Sequence, residues 1–344
     1  MSSITKPVTS RLVVPRATRV LHVLGSDVAT GANGTTAAIG TNDTGKMLRL
    51  VGPAIQVSSM VISPSFLRQG RGWERHKFDL VWNAISDPDL NPKTLAVFKS
   101  AFEGQGTLVV NQADHVFRTT RHNVSLTLQG VDGVVMPKTL LIRLPTDHRI
   151  RAIVEDTGFR FPAILRRVGT QNGDVLGVFP SVDSMSTIFG DRKGQYYLTE
   201  FVDVRRGDGL FRKTRCFFVG DKIIARHHVI TNKWKITGSN STDIMPSRND
   251  LLKESQDIIY NGFDGFPERI QNSLRLIRNK IGLDYFGIDF CMMENNDIVV
   301  FECNATMNFN PNFDEISTRH NQIAVPRLMS ALNAFVGKAG ARRV

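Results

Sequence analysis

The stretch Gly287–Asn304, GIDFCMMENNDIVVFECN, reads as parts of two strands, Tyr285–Glu294 and Asp297–Asn304, joined at Asn295-Asn296. Asparagine tolerates the positive φ that tight hairpin turns require. With Glu294 facing Asp297 across that turn, Asp289 falls directly opposite Glu302. Two carboxylates opposed on one sheet face repel each other. Strand alternation adds Asn304 to the same face and turns Cys303 to the other. Asp289, Glu302 and Asn304 offer only oxygen, the donor that a hard divalent cation such as Mg²⁺ accepts, usually while keeping waters and sharing substrate phosphates. The alternative is a solvated polar face with one protonated carboxylate. Phe286, Ile288, Phe290, Val299, Val300 and Phe301 around the pair point to burial and favour the metal.

Upstream, Phe211–Val219 and Lys222–Ile230 read as a hairpin through Gly220-Asp221. Lys213 and Arg215 sit two apart and share one face of it, either as site cations or as exposed edge charges. A strand over Tyr196–Val204 precedes them. Earlier still, the strand Pro162–Arg166 ends on a cation and runs into Gly169-Thr170-Gln171-Asn172-Gly173. Such a loop can wrap a phosphate in backbone N–H groups, with Arg166 neutralising charge, although many glycine loops are only turns. Helices are expected over Arg121–Leu128, Arg248–Tyr260, Pro267–Ile281 and Ile323–Val336, and a strand over Thr139–Arg143. Cys303 is expected in the core. At His227-His228 a hairpin end with one ring buried and one solvated is expected.

The first ~110 residues have another character. Arg19–Gly25 reads as a buried parallel strand that opens into the Gly/Thr/Asn-rich segment Ser26–Asn42. Strands at Leu80–Ile85 and Thr107–Asn111 flank a helix over Pro92–Phe102, with Pro at its start and Gly104 just past its end. This is an open α/β pattern. No GxGxxG follows the first strand, so a dinucleotide fingerprint is not supported.

The whole chain of 344 residues is long enough for two or three packed units. Its 41% hydrophobic and 22% charged residues exclude a disordered chain, and its longest apolar run falls short of a membrane span. A net charge of +11 favours anionic ligands, yet no nucleic-acid motif accompanies it. Three scattered cysteines and no secretory signal fit a reducing, cytoplasmic setting. Residues 1–18 read as a flexible N-terminal tail, the alternative for so acid-poor and Arg-bearing a segment being an organelle transit peptide.

The order of these features resembles the ATP-grasp superfamily, in particular the ribosomal-protein glutamate ligase and glutathione synthetase subgroup. Pro162–Gly173, Thr199–Asp203, Arg215–Ala225 and Leu283–Asn304 carry the resemblance, which spans about residues 115–335. It implies an α/β (α+β) fold: an N-terminal open α/β domain at 19–114, then a two-lobed grasp at 115–335, with a small lobe at about 139–204 and a C-terminal lobe at about 205–335. It implies Mg²⁺, or Mn²⁺ in its place, on Asp289, Glu302 and Asn304. It implies ATP held by Arg121, Arg166 and Lys213, by a lid containing Gly169, Thr170 and Gly173, and by a hinge at Glu200, Phe201 and Val202, with ribose on Asp203 or Asp208. Arg215 and Arg166 would act on the transferred phosphate. Arg121 and Arg166 stand where the family usually has Lys, and Ala305–Phe309 departs from its usual Ser-Pro-Gly. The implied activity is ADP-forming ligation of a small-molecule or peptide carboxylate to an amine through an acylphosphate. A kinase or a degenerate ATP-binding regulator is the alternative. A homo-oligomer is compatible with such relatives.

Overall fold

The computed structural model describes residues 16–28, 44–52, 54–69, 73–143, 146–170, 175–185, 188, 194–236, 244–307, 309 and 319–341. Gly173 and most of Ser26–Asn42 lie outside them, as does nearly all of the N-terminal tail.

The N-terminal part is a parallel four-stranded sheet in the order β2-β1-β3-β4: β1 (Thr18–Gly25), β2 (Ile55–Ile62), β3 (Leu80–Asn83) and β4 (Leu108–Val110). Helix α1 (Thr44–Leu50) precedes β2, and α2 (Pro92–Phe102) joins β3 to β4. Proline starts α2 because the first turn needs no N–H from it. β2 escapes a periodicity reading because only its end residues, Ile55 and Ile62, are buried.

Two short helices, α3 (Ala113–Phe117) and α4 (Arg121–Leu128), lead into the two remaining sheets. Thr120 caps α4 by accepting from Asn123 N–H. After the two-residue strand β5 (Val134–Val135) comes an antiparallel sheet in the order β6-β9-β7-β8: β6 (Thr139–Arg143), β7 (Ala163–Arg167), β8 (Gly177–Phe179) and β9 (Gln195–Glu200). Together with α5 (Asp147–Thr157) it buries its own core around Leu140, Ile150, Phe159, Leu165 and Leu198.

The remaining sheet has the order β11-β10-β12-β13-β5, with β10 (Phe211–Val219), β11 (Lys222–Thr231), β12 (Tyr285–Met292) and β13 (Ile298–Asn304). Gly220, at φ 56°, makes the β10–β11 turn as expected. Helices α6 (Asn249–Asn261) and α7 (Glu268–Ile281) lie between β11 and β12 in the chain, and α8 (Ala324–Ala341) closes it. Ile288 and Phe290 join Ile270, Ile277 and the α2 residues Phe98 and Phe102 in one core. Leu328 and Leu332 of α8 join Leu80 and Trp82 to Phe217 and Tyr285 in another. The N-terminal sheet is thereby docked firmly on the five-stranded one. Among the described residues no helix is long and apolar enough to cross a membrane.

The β12–β13 turn corrects the sequence-based register. Met293, not Glu294, pairs with Asp297, and Glu294-Asn295-Asn296 form a three-residue loop with Asn296 at φ 63°. The register is offset by one residue as far as Phe290–Val300, and a bulge at Phe301 then restores it. Asp289 therefore does face Glu302, through two departures that cancel.

Candidate active site

One row of residues crosses four strands: His227 on β11, Arg215 on β10, Asp289 on β12 and Glu302 on β13, each the direct partner of the next. A bulge flanks this row on each side, between Arg215 and Cys216 and between Asp289 and Phe290. Bulges re-aim side chains. Here Phe301 and Glu302, neighbours in sequence, both line the same cavity.

That cavity, of about 380 Å³, lies between the five-stranded sheet and the small antiparallel one. On its floor Asp289 is 3% exposed. Arg215 donates to it through Nε at 2.7 Å and Nη2 at 2.9 Å, and Lys213 Nζ stands 3.2 Å away. Burial alone would raise the Asp289 carboxyl, but Arg215 and Lys213 overcome it and hold the group far below the usual carboxylate range. Glu302 is half-buried, and its Oε1 accepts from Arg121 Nη2 at 3.1 Å. Asn304 lies opposite Gly287, and its Oδ1 accepts from Thr306 N–H at 3.0 Å.

Asp289, Glu302 and Asn304 all line the cavity. Their all-oxygen donor set fits a hard divalent cation. Among the described residues no three His, Cys, Asp or Glu side chains gather into a metal site. A cation here therefore needs the Asn304 amide and further oxygens from solvent or substrate.

The opposite wall is the small sheet. Arg166, Thr199, Glu200, Phe201 and Val202 line it, and Val204, Phe211, Val299 and Phe301 add apolar surface. The expected strand over Tyr196–Val204 stops at Glu200, and Phe201 N–H turns to Pro162 O at 2.8 Å. Glu200 Oε1 accepts from Arg160 N–H at 2.9 Å. Gly169, at φ 77°, and Thr170 line a smaller recess with Asp87, Asp89, Glu302 and Asn304. The positive φ favours glycine at 169, and a Cβ there would push on the exposed end of the Leu90 side chain, whose Cδ2 lies 2.5 Å from the Cβ position. In the same recess Tyr197 Oη donates to Asp89 at 2.8 Å.

The two proposed ribose carboxylates separate. Asp203 lies on an open shelf with Phe201 and Trp234, beside the cavity, and is bound to Arg205. Asp208 is not brought to the cavity: it bonds Arg212, which alternation sends to the opposite face of β10. Of the two histidines, one ring is buried as expected, and the other departs from expectation in being only partly exposed. His228 is 1% exposed, and His227 Nε2 is buried without a partner. Burial, then Arg215, lowers His227 well below its usual value and leaves it neutral. Cys303 is in the core, and burial pushes its thiol up.

Trp234 and Lys235 also line the cavity. They follow β11 in irregular chain, where neither alternation nor spacing marks a facing direction. Arg226, the extra residue of the β11 bulge, is 2% exposed and donates to Asn321 O at 2.7 Å. Alternation assumes an unbroken ladder and does not locate a bulge.

No protein-family model and no curated protein matches this sequence. Solved structures do match. The VanG D-Ala:D-Ser ligase of Enterococcus faecalis aligns over 92% of this chain and 100% of its own, at 11% identity and a TM-score of 0.56. The D-alanine–D-alanine ligase of Bacillus anthracis, solved complexed with ATP, aligns over 95% and 99% at 11% identity and a TM-score of 0.55. The D-alanine–D-alanine ligase of Coxiella burnetii aligns over 95% and 97% at 11% identity and a TM-score of 0.54. The likeness extends over almost the whole of each chain, and it shows that this chain shares the fold of those ligases, an α/β architecture of the kind expected from the sequence.

Proposed function

We propose that this chain is an ATP-dependent carboxylate–amine ligase that binds ATP and Mg²⁺ in the cavity between the small and five-stranded sheets. The observation that carries the proposal is the cavity floor. Asp289, Glu302 and Asn304 face the same space as Lys213, Arg215 and Arg121, with an apolar slot beside them.

The slot of Val202, Val204, Phe211 and Phe301 suits a purine ring, with the irregular chain of 201–204 along its edge. Arg166, Arg121 and Lys213 suit the phosphates, with Gly169 and Thr170 close by. Asp203 is the better placed of the two ribose candidates. Mg²⁺ held by Asp289, Glu302 and Asn304 would neutralise phosphate charge and fix the phosphate oxygens. Phosphoryl transfer needs mainly positioning and charge stabilisation, and Arg215 can supply that charge at the reacting phosphate. A carboxylate oxygen of the substrate attacks the γ-phosphorus, ADP leaves, and an amine then displaces phosphate from the acylphosphate. No side-chain nucleophile is required. The cationic cavity suits an anionic carboxylate donor, and the partners are small molecules or peptides rather than nucleic acid or membrane.

ADP release should be measured with Mg²⁺-ATP over amino acids, dipeptides and acidic peptides, with mass spectrometry of each mixture. A condensed product formed with ADP is expected. ADP accompanied only by a phosphorylated compound would establish a kinase instead. Absence of ATP binding would overturn the proposal.

A further inference from the structure

Asn111 follows β4 and lies outside the cavity, yet its side chain touches the strands that bear the candidate metal ligands. It is 1% exposed and sits at φ 54°, a left-handed conformation that asparagine tolerates better than other side chains. Its Oδ1 accepts from Asp284 N–H and Tyr285 N–H, both at 3.1 Å. Its Nδ2 donates to Tyr285 O at 2.6 Å and to Ala305 O at 2.9 Å. The carboxamide thus spends two donors and two acceptor sites on backbone, its full capacity.

The targets matter more than the number. Tyr285 is the first residue of β12, and Ala305 directly follows Asn304. The last observed rung of the β12–β13 ladder is Gly287–Asn304. Asn111 therefore stands in for the next rung, tying together the ends of the two strands where their own pairing stops. Asn304 Oδ1 is in turn oriented by Thr306 N–H, so its direction depends on the path of 305–306. On the other side, Asn111 O accepts from Asn83 Nδ2 at 3.0 Å, at the carboxyl end of β3. Ligands of open α/β sheets approach that edge.

We infer that Asn111 is a positioning residue that fixes Asn304 for metal and nucleotide binding and couples it to the ligand edge of the N-terminal sheet. The inference rests on Asn304 belonging to the site proposed above.

Asn111→Asp tests it. When ionised, the introduced carboxylate keeps both acceptor bonds, loses both donor bonds and sets negative charge against two carbonyl oxygens. When protonated, it regains a single donor. At pH 8 the variant is expected to bind Mn²⁺ about tenfold more weakly in the presence of ATP, measured by electron paramagnetic resonance. Its kcat should fall on the order of 100-fold, the size of effect that a small misplacement can cause. KM for ATP should stay within about threefold, because the purine slot lies elsewhere. Both losses should shrink as the pH falls and the new acid protonates. Asn111→Gly keeps the left-handed backbone without strain and serves if the Asp variant does not fold. It should show the same Mn²⁺ loss without the pH-dependent recovery. A folded variant whose Mn²⁺ affinity and kcat stay within twofold of wild type would overturn the role. Wild-type protein that takes up no Mn²⁺ with ATP would instead overturn the metal assignment beneath it.

Discussion

Four successive residues of β10 feed two charge clusters on opposite faces of one sheet. Lys213 and Arg215 point into the cavity and hold Asp289. Arg212 and Thr214 point to the back, where Arg212 grips Glu254 at 2.8 and 2.9 Å and Asp208 at 2.7 Å. Thr214 bonds His228 there, and Arg206 adds a second guanidinium to Glu254. The ingredients are nearly the same, but the balance differs. The back cluster sets two arginines against two carboxylates and packs under α6. The front cavity is lined by Arg121, Arg166, Lys213, Arg215 and Lys235 against Glu200, Asp289 and Glu302. Surplus positive charge beside open volume calls for an anion, whereas balanced charge without volume locks an element in place.

The strongest way to break this contrast is to remove one carboxylate from each side. Asp289→Asn should lower ADP-forming turnover by about 1000-fold or more. It should still bind ATP in EDTA at least as tightly as wild type, since it adds to the positive surplus. Glu254→Gln should do the reverse. Breaking a buried ion pair by removing one partner costs on the order of 3 kcal/mol, read as a lower urea midpoint, with kcat within a few-fold of wild type. Full turnover in Asp289→Asn, or an unchanged midpoint in Glu254→Gln, would dissolve the distinction.

The back cluster also sets a pH signature. Ser255 Oγ bonds both His228 O and His320 Nε2. Burial, followed by the neighbouring His228, lowers His320 to about 4, and burial lowers His228 too. Both are therefore neutral in the fold at pH values where the unfolded chain, with histidine near 6.5, already binds protons. The unfolded state holds more protons between about pH 6.5 and 4, so stability falls as pH drops through that window. His320 contributes at most about 3 kcal/mol of that fall. His22, lowered to about 4 by burial and then by Arg49, acts with the same sign from the N-terminal sheet. Urea midpoints at pH 7, 5.5 and 4.5 should decline for wild type, and His320→Gln should flatten part of the decline. A midpoint independent of pH over this range would contradict the buried-neutral assignment.

Legibility followed regularity. The limits of α2 and α4 and the hairpin through Gly220 were readable because caps, a glycine turn and alternation each act locally. Asp289 and Glu302 were paired correctly although the turn was misplaced by one residue, because the bulge at Phe301 compensates it. That Asp208 lies away from the cavity was not legible, because the irregular 201–210 segment gives no facing direction until β10 begins. The cations on Asp289 and Glu302 were expected on phosphate. Which anion they face depends on register between strands far apart in sequence, and spacing within one segment does not encode that.

The smallest expected effect concerns this placement of the cations. Arg121 neutralises Glu302 across a partly exposed pair, and such pairs contribute about 1 kcal/mol or less. If a metal binds Glu302 as proposed, Arg121 competes with it until nucleotide phosphates draw the guanidinium away. Linkage requires reciprocity: if ATP relieves the competition, ATP and Mn²⁺ strengthen each other's binding by the same factor. Removing Arg121 should shift that balance in two directions at once. Arg121→Gln should bind Mn²⁺ about threefold to fivefold more tightly than wild type without nucleotide. It should bind ATP more weakly, and the coupling factor between the two ligands should shrink. Titration calorimetry of each ligand, alone and with the other saturating, yields all four affinities. An Arg121→Gln variant with weaker Mn²⁺ binding in the absence of ATP would show that Arg121 supports the metal position instead of competing for it, and the front cluster would then be a fixed lock like the back one.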